Sequence, residues 1–179
     1  MTQGLDPLLF KSSSTLKQSQ GNGSNSARAG CGDIVSLDDR GLLSFRLENR
    51  GPTGIVARQT SNRAELRAVI IAISIRHWAG EGFKRLVIAT DSSYVTDGAT
   101  RLVEIWSSNG WLTSKKQPVQ TQDLWKELLS VMQEGRKHGL NVLFWRIPRD
   151  WNKLADIYAG DGARREMVEE YSPISAVLC

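Results

Sequence analysis

Residues 58–79, RQTSNRAELRAVIIAISIRHWA, and the run KRLVIATD at 84–91 decide how this chain is read. From Asn62 the apolar residues fall at Leu66, Val69, Ile73 and on more than one face, which predicts a well-buried helix. Ser61 is placed to be its N-cap, Glu65 lies in its first turn, and the GEG run at 80–82 closes it. KRLVIATD then reads as a central strand, apolar on both faces and ending in an acid, Asp91. A buried helix leading into such a strand is the signature of an α/β protein.

Working downstream, SSYVTDGATRLVEIW at 92–106 has helical spacing through Val95, Ala99, Leu102 and Trp106, and NGW at 109–111 breaks it. TQDLWKELLSVMQEGRKHG at 121–139 predicts a third helix, with Leu124, Leu128, Val131 and Met132 along one stripe and basic residues in its last turns. LNVLFWRIP at 140–148 is a strand stopped by Pro148, and NKLADIYAGDGARREM at 152–167 a final helix weakened by glycine. Upstream, CGDIVSL and LLSFRLE flank the turn signal DDRG and predict a hairpin, and GPTGIVARQT leads into a third strand-like piece. The expected order is strands first, then α-β-α-α-β-α, which makes a mixed sheet with helices on its faces.

The 179 residues suit one domain, and a net charge of +4 permits a polyanionic partner without demanding one. Two cysteines, Cys31 and Cys179, have neither zinc-site nor disulfide spacing, so an intracellular, reduced setting is expected, cytoplasmic or nuclear before mitochondrial. The first twenty residues lack the basic start and long apolar segment of a secretory signal, and no apolar run has the length of a membrane span.

Three acids stand out by position. Glu65 starts the first helix, Asp91 ends the central strand, and Asp156 lies in the first turn of the last helix. Strand C-termini and the helix starts that follow them share one edge of an open α/β sheet. Carboxylates converging there repel one another unless cations neutralise them, and hard oxygen ligands favour Mg²⁺ or Mn²⁺. Acids in first turns are also favoured by the helix dipole, so spacing leaves a purely structural reading open.

The strings RQTSNRAELRAVIIAI, ATDSSYVTDGA, IWSSNGWLTSKKQPVQTQDLWKELL and NKLADIYA, in this order, resemble ribonuclease H of the cellular type 1 family; the upstream NGSNSARAGCG is similar to its first hairpin in the long-loop eukaryotic form. The resemblance runs from about Asn22 to about Ala163. It implies an α/β fold with a mixed five-stranded sheet flanked by helices, and cleavage of the RNA strand of RNA–DNA hybrids with two Mg²⁺ (or Mn²⁺) ions held by Asp, Glu, Asp and Asp. Glu65, Asp91 and Asp156 take three of those positions as catalytic residues and metal ligands. Nucleic-acid contacts are implied for Asn22 and Gly23, for Arg58, Thr60, Ser61 and Asn62, for Tyr94 and Trp106 as an aromatic wall, and for Thr121 where an amide is usual. Trp106 and Tyr94 equally suit a packed core. On this reading the domain spans 21–165, after a poorly ordered leader or degenerate first strand at 1–20 and before a C-terminal tail at 166–179.

The departure lies in that leader. Counting back from Asn22–Gly23 puts the first Asp of the family at Leu16, with Lys17 beside it and KSSST as its strand, a poor sheet centre. The first strand is therefore expected to be degenerate or missing and the nuclease weak or inactive. The loop RIPRDWN also lacks the His that many members carry. Three explanations compete: a fold that lost its chemistry and serves nucleic-acid binding, protein interaction or another chemistry; a start that is not the natural one; or an active hydrolase with an unrecognised ligand such as Asp6 or Asp33.

Overall fold

The computed structural model describes residues 8–18, 27–36 and 41–173. Five strands form one mixed sheet: β1 Leu8–Gln18, β2 Ala27–Ser36, β3 Gly41–Arg46, β4 Arg85–Thr90 and β5 Asn141–Arg146, in the order β3-β2-β1-β4-β5. Around them lie α1 Ser61–Ser74, α2 Ser93–Asp97, α3 Val103–Ser108, α4 Gln122–Lys137 and α5 Lys153–Gly162. Among the described residues, no helix is long and apolar enough to cross a membrane.

The first strand is neither missing nor marginal. β1 is the middle of the sheet, antiparallel to β2 and parallel to β4. β2 pairs with β1 from Leu9 to Gln18 and β4 from Leu8 to Ser12, and this backbone pairing is how a run as polar as KSSST holds a place in the sheet. GPTGIVARQT, by contrast, forms no named strand. It is a loop pinned by one bridge between Arg50 and Val56, so the fifth strand is β1.

β2 shows which helix serves which face. Ala29 and Cys31 pack against Ala64 and Ala68 of α1, and the Cys31 thiol donates to the Ala64 carbonyl at 3.1 Å. Gly30, between them, faces α5 so closely that a Cβ there would lie 2.2 Å from the Ala159 carbonyl oxygen. By register Leu86, Ile88 and Thr90 of β4 fall on the α1 face, where Leu86 and Ile88 join Leu66, Ile70 and the α4 residues Leu124 and Leu128 in the core. Each such aliphatic side chain contributes about 1.5–3 kcal/mol on burial.

Local differences from expectation have identifiable causes. Thr60, not Ser61, caps α1: its Oγ1 accepts from the Arg63 N–H at 3.3 Å, so Glu65 stands in the second turn. The segment 92–106 is not one helix but α2 and α3 joined by a π-helical turn, Gly98–Leu102. Gly98 is required there, because a Cβ would sit 2.1 Å from the Trp125 ring. After α5 the chain is held along the β3 end of the molecule: Asn49 N–H donates to the Val168 carbonyl and Arg50 N–H to that of Glu169, at 2.9 and 3.0 Å.

Candidate active site

β4 ends at Thr90, and Asp91 leaves the sheet on the α5 face. Its carboxylate accepts from the Asn152 side-chain amide at 2.7 Å, and Asn152 is fully buried just before α5. The Asn152 carbonyl in turn accepts from the Asp156 N–H at 3.1 Å, which fixes Asp156 in the first turn of α5. On the other side, the Ser92 hydroxyl caps α2 by accepting from the Val95 N–H at 3.2 Å and donates to the Glu65 carboxylate. A run of hydrogen bonds and short backbone links thus strings Glu65, Asp91 and Asp156 along one edge of the sheet. Ser92 and Asn152, which hold two of the three acids, carry no signal of that role in sequence beyond their place next to Asp91 and in NKLADIYA.

The acids are engaged separately. Asp156 faces the Arg149 guanidinium at 3.8 Å, and Asp91 lines an open cleft of about 470 Å³ with Arg146, Ile147, Pro148 and Arg149. Among the described residues, no three acidic, histidine or cysteine side chains cluster as a ready-made metal site. The donor types nonetheless suit a hard divalent cation: three carboxylates on one edge, two of them half-buried and oriented by neutral hydrogen-bond donors.

Strand register says which residue of β1 neighbours Asp91. β1 and β4 pair from Leu8↔Leu86 to Ser12↔Thr90, so one residue further on it is Ser13 that stands beside Asp91. Ser13 pairs with Gly32 and so lies on the α5 face with Asp91, whereas Leu16 pairs with Ala29, beyond the end of β4 and on the α1 face. The count from Asn22–Gly23 and the strand register thus point to different residues of β1, because loop length does not fix register. Asp33 pairs with Ser12 and Leu43, one row back and on the α1 face. Asp6, Asn22 and Gly23 lie outside the described residues.

The remaining nucleic-acid residues divide. Arg58 and Asn62 are exposed beside the start of α1, where Ser61 is half-buried and the Thr60 hydroxyl is already a cap acceptor. Trp106 is 8% exposed and meets Trp125 edge to face at 5.5 Å, so it is core, with little more than an edge for a ligand. Tyr94 is half-buried; its hydroxyl bonds to Thr121 Oγ1 at 2.6 Å and accepts from Trp125 Nε1 at 2.8 Å, and burial, first among its causes, pushes its pKa up. Thr121 has φ of 59°, a left-handed conformation costly for a β-branched residue. Beneath it Arg63 and Asp123, unremarked in the sequence, form a bidentate ion pair at 2.7 Å that joins the starts of α1 and α4. Burial works against the Asp123 charge, but the Arg63 guanidinium overrides it and holds this carboxyl below its usual range.

A mixed sheet in the order 3-2-1-4-5, with acids from the first helix, the end of the fourth strand and the last helix on one edge, defines the ribonuclease H-like class of α/β proteins. The chain belongs to the RNase H family, whose model matches residues 19–144. It is similar to the Ribonuclease H of Zymomonas mobilis, 36% identical over 134 residues that cover 72% of this chain and 80% of that protein. It is similar also to the Ribonuclease H of Treponema pallidum, 38% identical over 113 residues, 63% of this chain and 65% of that one. Among solved structures, a foamy viral protease-reverse transcriptase in complex with an RNA/DNA hybrid superposes with a TM-score of 0.65 at 23% identity, over 88% of this chain and 20% of that one, a likeness of fold.

Proposed function

We propose that this chain binds RNA–DNA hybrids at the edge carrying Glu65, Asp91 and Asp156, and that it cuts the RNA strand weakly or not at all. Family membership and the acid edge support the first half. The observation that carries the second is the register that sets Ser13, not a carboxylate, beside Asp91. Glu65, Asp91 and Asp156 would hold Mg²⁺ or Mn²⁺, and β1, LLFKSSSTLKQ, offers no further carboxylate to them. A bound divalent cation would polarise a phosphodiester and neutralise the charge that develops on its oxygens. The chain's own part is to orient: Ser92 aims Glu65, Asn152 aims Asp91, and Arg149 offers a cation at the cleft mouth. Arg58 and Asn62 supply exposed donors for the two backbones, a mode of contact that reads shape rather than sequence.

The test is cleavage and binding of a labelled hybrid in Mg²⁺ and in Mn²⁺ by the unchanged chain, Ser13→Asp, Leu16→Asp and Glu65→Gln. Loss of a shared ligand corresponds to a rate deficit on the order of 10³-fold or more. Ser13→Asp is expected to recover much of it and Leu16→Asp none. Brisk cleavage by the unchanged chain, abolished by Glu65→Gln, would sink the inactive reading, and absence of hybrid binding would sink the substrate.

A further inference from the structure

The sheet face served by α5 is only partly covered. α5 packs on β1, β2 and β3, while over β5 the same face carries Leu143 and Trp145, 46% and 47% exposed. Trp151, Leu154 and Ile157 follow at three-residue spacing from the turn before α5 into its first turns, and all are exposed. The Trp145 and Trp151 rings meet edge to face with centroids 6.3 Å apart. Two indoles fixed against each other in water are a prepared surface, since each would lower its free energy by burial elsewhere.

Its position and charge say what it meets. Trp145 pairs with Ala89 and so shares a face with Asp91, one strand away (about 5 Å) and two residues back along it (about 7 Å). Arg146 follows Trp145, Arg149 precedes Trp151 by two residues, and both arginines line the cleft that Asp91 enters. Arg146 is exposed, and Arg149, 3.8 Å from Asp156, is 78% exposed. Lys153 adds a third cation, paired with Asp150 at 3.2 Å. Aromatic faces interleaved with guanidinium groups match a polyanion whose bases stack and whose phosphates need counter-charge. An apolar protein partner would instead have to desolvate both arginines.

We infer that Trp145 and Trp151 form a stacking platform for single-stranded nucleic acid leaving the acid edge, with Arg146 and Arg149 holding its phosphates. The inference rests on the hybrid reading for the direction from which the strand arrives, and the test separates the two. Fluorescence anisotropy would compare a blunt hybrid, the same hybrid with a single-stranded overhang of about ten nucleotides, and that single strand alone. The overhang is expected to tighten binding about tenfold. The Trp145→Leu/Trp151→Leu variant, which keeps apolar area but loses the stacking faces, should lose that gain and bind the blunt hybrid as before. Phe at both positions should keep most of it. Equal affinity for blunt and overhanging hybrids would overturn the platform and leave the hybrid reading intact. Tryptophan-dependent binding of the single strand without any binding of the blunt hybrid would support the platform and overturn the hybrid reading. A gain that survives in the Leu variant, or a tryptophan-dependent dimer in sedimentation, would assign the surface to apolar contact and overturn the platform.

Discussion

Where α1 and α4 cover the sheet, charged groups are buried in pairs. Arg67 is fully buried against Glu48, donates to the Ser172 carbonyl at 2.6 Å, and lies 4.0 Å over the Tyr171 ring, whose phenol burial pushes up to about 12. On the opposite face α5 approaches through backbone, at Gly30 and Gly162, and β5 keeps Trp145 half in water. One face is a closed interior in which removing one partner of a buried ion pair leaves an unpaired charge. The other is a close contact over three strands followed by an open apolar surface beside the acids. On the proposed reading, stability and ligand contact are drawn from different sides of the same sheet.

The comparison can be broken most sharply at Arg67. Arg67→Ala leaves Glu48 buried without its cation and removes the contacts to Tyr171 and Ser172, and a loss of about 3–5 kcal/mol is expected in denaturant unfolding. A loss below about 1 kcal/mol would mean that the closed face does not depend on its ion pairs. Next comes the helix on the other side. Gly162→Ala would set a Cβ 2.2 Å from the Phe45 carbonyl oxygen, so α5 must lift from β3, at an expected cost of about 1–3 kcal/mol by thermal unfolding. An unchanged melting temperature would show that α5 rides loosely on the sheet. Smallest is Trp151→Ser on the open surface, where stability should stay within about 0.5 kcal/mol. A larger drop would mean that the indole pair is structural and the surface is not free for a ligand.

Much of the fold was legible in sequence because helix and strand periods are local. The buried helix, the strand before Asp91 and the last helix all start within a residue of where periodicity put them, but the two helices end at Ser74 and Gly162 rather than at Ala79 and Met167. Those elements also carry Glu65, Asp91 and Asp156, the acids that position in the sequence singles out. Their supports were not legible: Ser92 and Asn152 are ordinary polar residues until folding brings them to Glu65 and Asp91. Trp106 had helical spacing compatible with a wall or a core, and only packing against Trp125 decides for the core.

The first strand marks the boundary between the two kinds of information. Local propensity disfavours KSSST as a strand, yet pairing with β2 along its whole length and with β4 at its start makes it one. The sequence by itself determined that this is an α/β domain of the RNase H family with acids at Glu65, Asp91 and Asp156, because residue type and order within motifs survive without coordinates. Tertiary structure alone decided which β1 residue stands beside Asp91 and which face of the sheet stays open. Strand register and helix coverage arise from contacts between distant segments, and no local window of sequence contains them.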